Sequence, residues 1–120
     1  MVRINDQWID EQFIVDVANR YVDTWLEYEI SLFEIEVFIS ILYFIYQGVD
    51  YAIYEVGLGG ELDATNIILP MVCVNTNIGL DHMDYLGDSY ESIARAKAGI
   101  IKDHVDFITG EHKQECVDIF

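Results

Sequence analysis

The sequence predicts an α/β protein built from a parallel sheet and helices. The candidate elements follow the order helix, helix, strand, strand, helix, strand, helix, which is typical of layered α/β folds. The strand candidates are near-continuous apolar runs, as expected for parallel strands covered on both faces. Two of these runs end in polar, glycine-containing loops, and open parallel sheets bind ligands at that end of their strands. A length of 120 residues is enough for one compact domain and too short for two, so residues 1–120 are predicted to form a single domain.

Two helices are predicted in the N-terminal half. Apolar residues from Phe13 to Leu26 recur at gaps of three and four, with Asp10 or a neighbour available to cap the first turn. The second helix is predicted to start at Ser31, where Glu34 completes a capping-box pattern.

The second helix is expected to run to about Gln47 and to stop at Gly48. Its β-branched and aromatic content keeps a strand open as an alternative, but strands are mostly about 5–6 residues long, so the length favours a helix. Its apolar run, Val37 to Tyr46, has ten residues, whereas a membrane span needs about 20. No membrane association is predicted.

Three strands and two further helices complete the prediction. The strand candidates are Asp50–Val56, Met71–Thr76 and Val105–Thr109. A helix is predicted over Ser89–Lys97, and another from Glu111 onward.

The charge balance and the cysteines narrow the function. Twenty-two acids and six bases give 6 − 22 = −16, which argues against nucleic acid as a partner because a phosphate backbone needs a clustered basic surface. The default interpretation of the acidic excess is a solvated surface. Cys73 and Cys116 lack metal-ligand spacing, and the N-terminus has no apolar signal core. These features predict reduced thiols in a cytoplasmic protein.

The first loop that could carry chemistry is the glycine-rich segment 55–66. Its glycines permit close backbone approach, and the polar residues Glu55, Asp63, Thr65 and Asn66 surround them. A tight structural turn explains the pattern about equally well. The segment is not a phosphate-binding P-loop, because no Gly-Lys-Ser/Thr follows.

The second loop and the following segment each have two interpretations. Asp81 and His82 could bind a metal or act in acid–base chemistry, although a lone histidine is more often structural. Lys97 lies among small and apolar residues, where a partly buried lysine loses its proton more readily. The alternative is a surface lysine whose stem packs on apolar neighbours.

Taken together, three segments resemble one known family. The sequences EVGLGGELDATNIILP, NTNIGLDHMDYLG and IARAKAGIIK resemble the central ATPase-domain signatures of folylpolyglutamate and dihydrofolate synthases, in the Mur ligase superfamily. Residues 2–5, 31–34 and 107–111 also resemble that family. The resemblance implies a three-layer fold whose mostly parallel sheet is flanked by helices, as in part of the Mur ligase central domain.

The resemblance also implies a reaction. Enzymes of this family use ATP to convert a carboxylate of the acceptor, a folate or dihydropteroate, into an acyl phosphate, and the amine of glutamate then displaces phosphate. Phosphoryl transfer of this kind depends on positioning and on neutralising charge with a metal. The sequence does not separate the two acceptors.

Site residues are assigned from the same resemblance. Mg²⁺ is expected at Glu55 and His82, and Lys97 corresponds to a lysine that is carbamylated in relatives. Residues on the nucleotide or substrate side of the cleft are expected to be Asn77, Asp63, Thr65 and Asn66.

The match departs from the family in four respects. The P-loop strand and the C-terminal domain of the family have no counterpart in these 120 residues, Glu61 stands in place of an arginine, and Ala96 in place of a glutamate. A carboxylate facing ATP phosphates is electrostatically unfavourable. The alternative for Glu61 is a rotamer that faces solvent. We therefore expect the chain alone not to be a competent ligase, with the missing segments supplied by another chain or not at all. The alternative is a non-catalytic remnant that acts as a magnesium-binding or protein-interaction module.

Overall fold

The computed structural model describes residues 2–120, which form two compact units. The first unit runs to Tyr54, and the second covers Glu55–Phe120. The assignment of residues 1–120 to a single domain stays a prediction.

The first unit consists of a short antiparallel hairpin followed by two helices. Its elements are β1 (Arg3–Ile4), β2 (Gln7–Trp8), α1 (Glu11–Glu27) and α2 (Leu32–Gln47). The hairpin was not predicted, whereas both helices agree closely with the sequence-based bounds.

Local capping explains why the bounds of both helices were predictable. The Asp10 carboxylate accepts hydrogen bonds from the backbone N–H groups of Gln12 and Phe13, so it satisfies donors in the first turn of α1. Ser31 and Glu34 form the reciprocal capping box at the start of α2. Gly48 ends α2 in the left-handed conformation, at φ 63°.

Aromatic side chains hold the two helices together. The rings of Phe13 and Tyr43 meet edge to face with centroids 5.0 Å apart, and Phe38 meets Tyr21 at the same separation. Such pairs contribute about 0.5–1.5 kcal/mol beyond the burial of their surface. No helix among residues 2–120 is long and apolar enough to cross a membrane.

The second unit is an α/β arrangement around one parallel strand pair. Its elements are a 3₁₀ helix (Ala64–Ile67), β3 (Val72–Asn75), α3 (Met83–Leu86), α4 (Tyr90–Ala98), β4 (Asp106–Thr109) and α5 (Gln114–Val117). β3 and β4 are parallel, with Val72 opposite Asp106 and Asn75 opposite Thr109. The predicted α/β class is confirmed.

The core of the second unit is formed by the loop after β3 and by two of the helices. Its fully buried members come from the loop after β3, from α4 and from α5: Ile78, Ile93, Ala94 and Cys116. Burial raises the pKa of the Cys116 thiol, and nearby acids raise it further, so this cysteine stays protonated and acts as a small apolar side chain.

The prediction of a strand over Asp50–Val56 is wrong. The segment is not assigned to a strand, and Tyr51 and Ile53 are 78% and 93% exposed. A strand is defined by hydrogen bonds to a neighbour, and among the described residues β3 pairs with β4 and with no other strand. The apolar composition of the segment is typical of a strand. Among the described residues, however, no neighbouring strand pairs with it.

The last helix begins later than predicted. Helix α5 starts at Gln114 instead of Glu111. The Glu111 carboxylate accepts the backbone N–H groups of His112 and Lys113, which gives this segment a side-chain alternative to helical hydrogen bonds.

Candidate functional site

The second unit brings the three sequence motifs together around the glycine-rich loop. The backbone N–H of Glu61 donates to the carbonyl oxygen of Ala96 in α4, at 3.3 Å. A Cβ atom added at Gly59 would lie 3.1 Å from Leu86 at the end of α3 and 3.9 Å from the Cβ of Ala96. Segment 55–66 therefore packs against both the second motif and the third.

Two glycines are required by this packing. A Cβ at Gly60 would meet the carbonyl oxygens of Ala96 and Lys97 at 2.9 Å. A Cβ at Gly99 would lie 2.4 Å from the Cβ of Glu61 and 2.5 Å from its Cα. Because backbone atoms block both positions, the loop and the end of α4 can approach only with glycine on each side.

Asp63 organises the glycine-rich loop from within. One carboxylate oxygen accepts the N–H groups of Gly57 and Leu58, each at 2.9 Å, and the other accepts the N–H and hydroxyl of Thr65 at 2.9 and 2.6 Å. Partial burial opposes ionisation, but the hydrogen bonds from Thr65, Leu58 and Gly57 outweigh it and lower the pKa of Asp63. Asp63 is thus ionised and stabilises the conformation of the loop, and the hydroxyl of the buried Thr65 donates to it.

Asn66 connects the loop to the segment that follows α4. Its side-chain amide donates to the carbonyl oxygens of Glu61 and Gly99, at 2.9 and 3.1 Å. The Lys102 ammonium donates to the backbone oxygen of Asn66 at 3.4 Å. The polar groups of Asn66 therefore stabilise the junction between the first and third motifs.

Glu55 and His82, the predicted metal ligands, are both exposed. Among residues 2–120 the Glu55 carboxylate has no hydrogen-bond or ion-pair partner. The His82 side chain is 56% exposed, and its Nε2 lies 3.7 Å from a carboxylate oxygen of Asp81. His82 has a left-handed backbone, at φ 54°, and precedes α3, where its carbonyl oxygen accepts the N–H groups of Tyr85 and Leu86.

The donor set at these residues fits Mg²⁺ only in part. Among the described residues, no three His, Cys, Asp or Glu side chains gather where they could hold a metal ion together. Mg²⁺ commonly keeps several waters and uses one or two carboxylates plus phosphate oxygens, so a complete protein cage is not required. The unpartnered Glu55 carboxylate suits such a site, whereas His82 offers a nitrogen that Mg²⁺ favours less.

Lys97 and Asn77 each have a side-chain nitrogen without a partner among residues 2–120. Lys97 is half-buried near the end of α4, and its ammonium has no hydrogen-bond or ion-pair partner among residues 2–120. Asn77 lies two residues after the end of β3 and is exposed, and its side-chain amide oxygen accepts the Thr76 hydroxyl at 3.4 Å. Its amide nitrogen has no partner within the described chain.

Sequence reasoning missed the pair that supports the second loop, Glu111 and Lys113. In the sequence, Glu111 stands out only as the start of a predicted helix and as part of the family resemblance, and neither predicts its contact with the second loop. The available signal was its place just after β4, because the ends of β3 and β4 lie at the same sheet edge.

Comparison with known families identifies the chain. Residues 17–110 match the Mur ligase middle domain, and the chain belongs to that family. This agrees with the three motifs that converge in the second unit.

Individual relatives narrow the resemblance. The chain is 43% identical over 88 residues to the dihydrofolate synthase/folylpolyglutamate synthase of Bacillus subtilis, covering 72% of this chain and 20% of that protein. It is 56% identical over 62 residues to the protein of the same name from Escherichia coli, covering 52% of this chain and 15% of that protein. The chain therefore spans about a fifth or less of the length of these relatives.

A solved structure shows the same fold. The bifunctional folylpolyglutamate synthase/dihydrofolate synthase of Yersinia pestis, complexed with AMPPNP and a Mn ion, aligns with a TM-score of 0.81 at 36% identity. The alignment covers 98% of this chain and 29% of that chain.

Proposed function

We propose that this chain is part of an ATP-dependent ligase that joins glutamate to a folate or to dihydropteroate through an acyl phosphate. The observation that carries the proposal is the packing of segment 55–66 against α3 and α4, in a chain whose family match spans residues 17–110. The names of the relatives support the reaction, and the AMPPNP and Mn ion of the Yersinia pestis structure support a nucleotide and a divalent metal. A cytoplasmic location is part of the same proposal.

In this proposal Glu55 and His82 hold Mg²⁺. The bound metal would neutralise phosphate charge, which is the main electrostatic requirement of phosphoryl transfer. Glu55 is suited to this role because its carboxylate is exposed and has no internal partner among the described residues. Asn77 lies in the same loop as His82, and its unused amide nitrogen is suited to donate to the nucleotide or substrate.

Asp63, Thr65 and Asn66 act on the nucleotide or substrate side by shaping the loop. Their side-chain hydrogen bonds are directed to the protein, so they fix the conformation of segment 57–61 instead of offering their own polar groups to a ligand. Preorganised backbone of this kind costs no rearrangement when the ligand arrives.

Lys97 is proposed to carry a carbamate. Its neutral amine would attack carbon dioxide, forming a C–N bond and releasing a proton, so that a cation becomes an anion able to support a second metal. The half-buried, unpaired ammonium supports this role. ¹³C-bicarbonate labelling tests it: a carbamate signal is expected in the wild type and absent in Lys97→Met, and no signal in either would contradict it.

Exposed apolar side chains support a second candidate, a protein-interaction module. Within the second unit, Leu62, Leu69 and Met71 are each at least 80% exposed. Large exposed apolar surface is typical of interaction sites. A folded chain without metal or nucleotide affinity would favour this second function.

A metal titration with a matched control tests the proposed site. We expect Glu55→Ala/His82→Ala to weaken Mn²⁺ binding at least tenfold, measured by electron paramagnetic resonance. Asp103→Ala/His104→Ala removes an exposed acid and histidine from another turn of the same unit and should leave the affinity unchanged. An equal loss of Mn²⁺ affinity in both double variants would mean that Mn²⁺ binds only through the general acidic charge of the surface.

A chimera tests the reaction itself. The 120 residues contain no Gly-Lys-Ser/Thr sequence, so we expect no ligation by the isolated chain. Residues 17–110 would replace the matching segment of the Bacillus subtilis enzyme, and glutamate transfer would be assayed with each acceptor. Turnover abolished by Glu55→Ala is expected. A folded chimera that is inactive, even with Glu61→Arg/Ala96→Glu restored together, would contradict the proposal.

A further inference from the structure

The backbone of Ile78 is held at both of its polar groups by side chains from the segment after β4. The Glu111 carboxylate accepts the Ile78 N–H at 2.6 Å, across 33 residues of sequence. The Lys113 ammonium donates to the Ile78 carbonyl oxygen at 2.9 Å, across 35 residues. We call these two side chains the Ile78 clamp.

The clamp is itself fixed by further contacts. The other Glu111 oxygen accepts the N–H groups of His112 and Lys113, at 2.7 and 2.8 Å. The Lys113 ammonium lies 3.2 Å from both Glu111 oxygens and 4.8 Å from the centre of the Tyr90 ring. The Glu111 side chain is only 4% exposed, so its charge is neutralised inside the protein and not by water.

Ile78 lies between Asn77 and His82, whose side chains are both exposed. Asn77 precedes it, and His82 follows four residues later, after Gly79, Leu80 and Asp81. Ile78 is 1% exposed and belongs to the core, so the side chain and the backbone of this residue are both immobilised. Gly79 has no atom within 4 Å of the position of an added Cβ, so that side of the loop is open beyond Ile78.

We propose that Glu111 and Lys113 are positioning residues that set the conformation of loop 76–82 and thereby the placement of Asn77 and His82. The inference rests on the proposed function for the roles of those two residues. The clamp acts through the backbone and is not expected to touch metal or nucleotide.

The chemistry of the clamp favours a carboxylate and a cation over neutral side chains. Both Glu111 oxygens accept backbone N–H groups, whereas an amide offers one oxygen and one NH₂ group. In Glu111→Gln, the side-chain NH₂ group therefore faces a backbone N–H donor at one of the two positions. Lys113→Met keeps the stem and removes the donor to the Ile78 oxygen. Lys113→Arg keeps the charge and the ability to donate to both partners.

Nuclear magnetic resonance of the labelled 120-residue chain provides the test. In Glu111→Gln and Lys113→Met, we expect the His82 ring signals and the Asn77 and Gly79 amide signals to shift. Hydrogen exchange at the Ile78 amide should accelerate at least tenfold in Glu111→Gln. Amide signals of α1 and α2 should not move, and Lys113→Arg should restore the His82 signals. Glu115→Gln, an exposed acid on α5, serves as the matched control and should resemble the wild type.

Each outcome decides the inference. Folded variants whose His82 and Asn77 signals stay at the wild-type positions would overturn it. If Glu111→Gln unfolds the second unit, the same signals are measured in Lys113→Met. If both variants unfold, the pair is required for folding and the inference is overturned. Mn²⁺ titration separates the two proposals: a wild type that binds no Mn²⁺ counts against the proposed metal site, while the metal-free loop signals still judge the clamp.

Discussion

In the glycine-rich loop, Asp63, Thr65 and Asn66 direct their side chains into the protein and hydrogen-bond to neighbouring backbone. In the loop after β3, the side chains of Asn77 and His82 are exposed and nearly unused. Both loops belong to the same unit, and both are rich in residue types that bind ligands. The first loop is braced by its own residues, whereas the second takes its support from Glu111 and Lys113, more than 30 residues away.

The difference shows that polar residues in a motif divide into those that build the site and those available to act in it. Hydrogen bonds satisfied within the protein contribute stability and shape. Exposed groups without internal partners contribute little to stability and remain free to bind. Substitutions in the glycine-rich loop should therefore lower stability, whereas substitutions of exposed residues in the loop after β3 should affect ligand binding.

The largest effect is expected from Gly99→Ala. The added methyl would lie 2.5 Å from the Cα of Glu61, so the glycine-rich loop must move away from α4. Overpacking typically costs about 1–3 kcal/mol, and contact with backbone favours the upper end. Urea unfolding measures the loss. Gly79→Ala is the control, because nothing lies within 4 Å of its added Cβ, and equal midpoints for both variants would contradict the packing described.

Asp63→Ala should have the next largest effect. The substitution leaves the N–H groups of Gly57, Leu58 and Thr65 without their acceptor. Losing hydrogen bonds to a charged group costs about 1.5–3 kcal/mol, and the exposed fraction of Asp63 favours the lower end. The free energy of unfolding measures this loss. Asp81→Ala, in the loop after β3, is the comparison and should lower the free energy of unfolding by less than half as much. A larger loss for Asp81→Ala than for Asp63→Ala would contradict the difference between the two loops.

Acid should loosen the second loop through Glu111. The N–H groups of Lys113 and Ile78 contribute most to lowering the pKa of Glu111 from 4.5 to about 2. Since the folded-state pKa lies below the unfolded one, the stabilisation is complete above about pH 4.5 and is lost as the pH falls toward 2. Urea midpoints measured across this range should fall in the wild type and in Glu115→Gln, and should fall less in Glu111→Gln. If the urea midpoints of all three proteins change in parallel with pH, Glu111 does not contribute to the acid sensitivity and the prediction is wrong.

The smallest effect on stability is expected from Glu55→Gln. The carboxylate has no partner among the described residues, so the change should stay within about 0.5 kcal/mol. The same variant should weaken Mn²⁺ binding if Glu55 is a ligand. A large loss of stability with unchanged Mn²⁺ affinity would place Glu55 with the bracing residues of its loop.

Much of the local structure was predictable because its causes are local. Asp10, Ser31 and Gly48 act within a few residues of the helix ends that they define. The expectation that the glycines of segment 55–66 permit close approach is confirmed at Gly60, although the partner, the end of α4, could not be read from the loop alone. The later start of α5 was missed because the Glu111 carboxylate competes for the N–H groups that a helix would use.

The α/β class, both long helices with their caps, and the three motifs that define the family can be recognised in the sequence. These depend on periodicity, on side chains next to helix ends and on residue identity. The folded arrangement of the chain established that residues 50–56 form no strand among the described residues, and that Asp63 and Asn66 brace the loop while the Glu55 carboxylate has no partner there. It also decided that Glu111 and Lys113 hold Ile78. The physical reason is that strand pairing and side-chain partnership join residues far apart in sequence, so they depend on which surfaces the folded chain brings together.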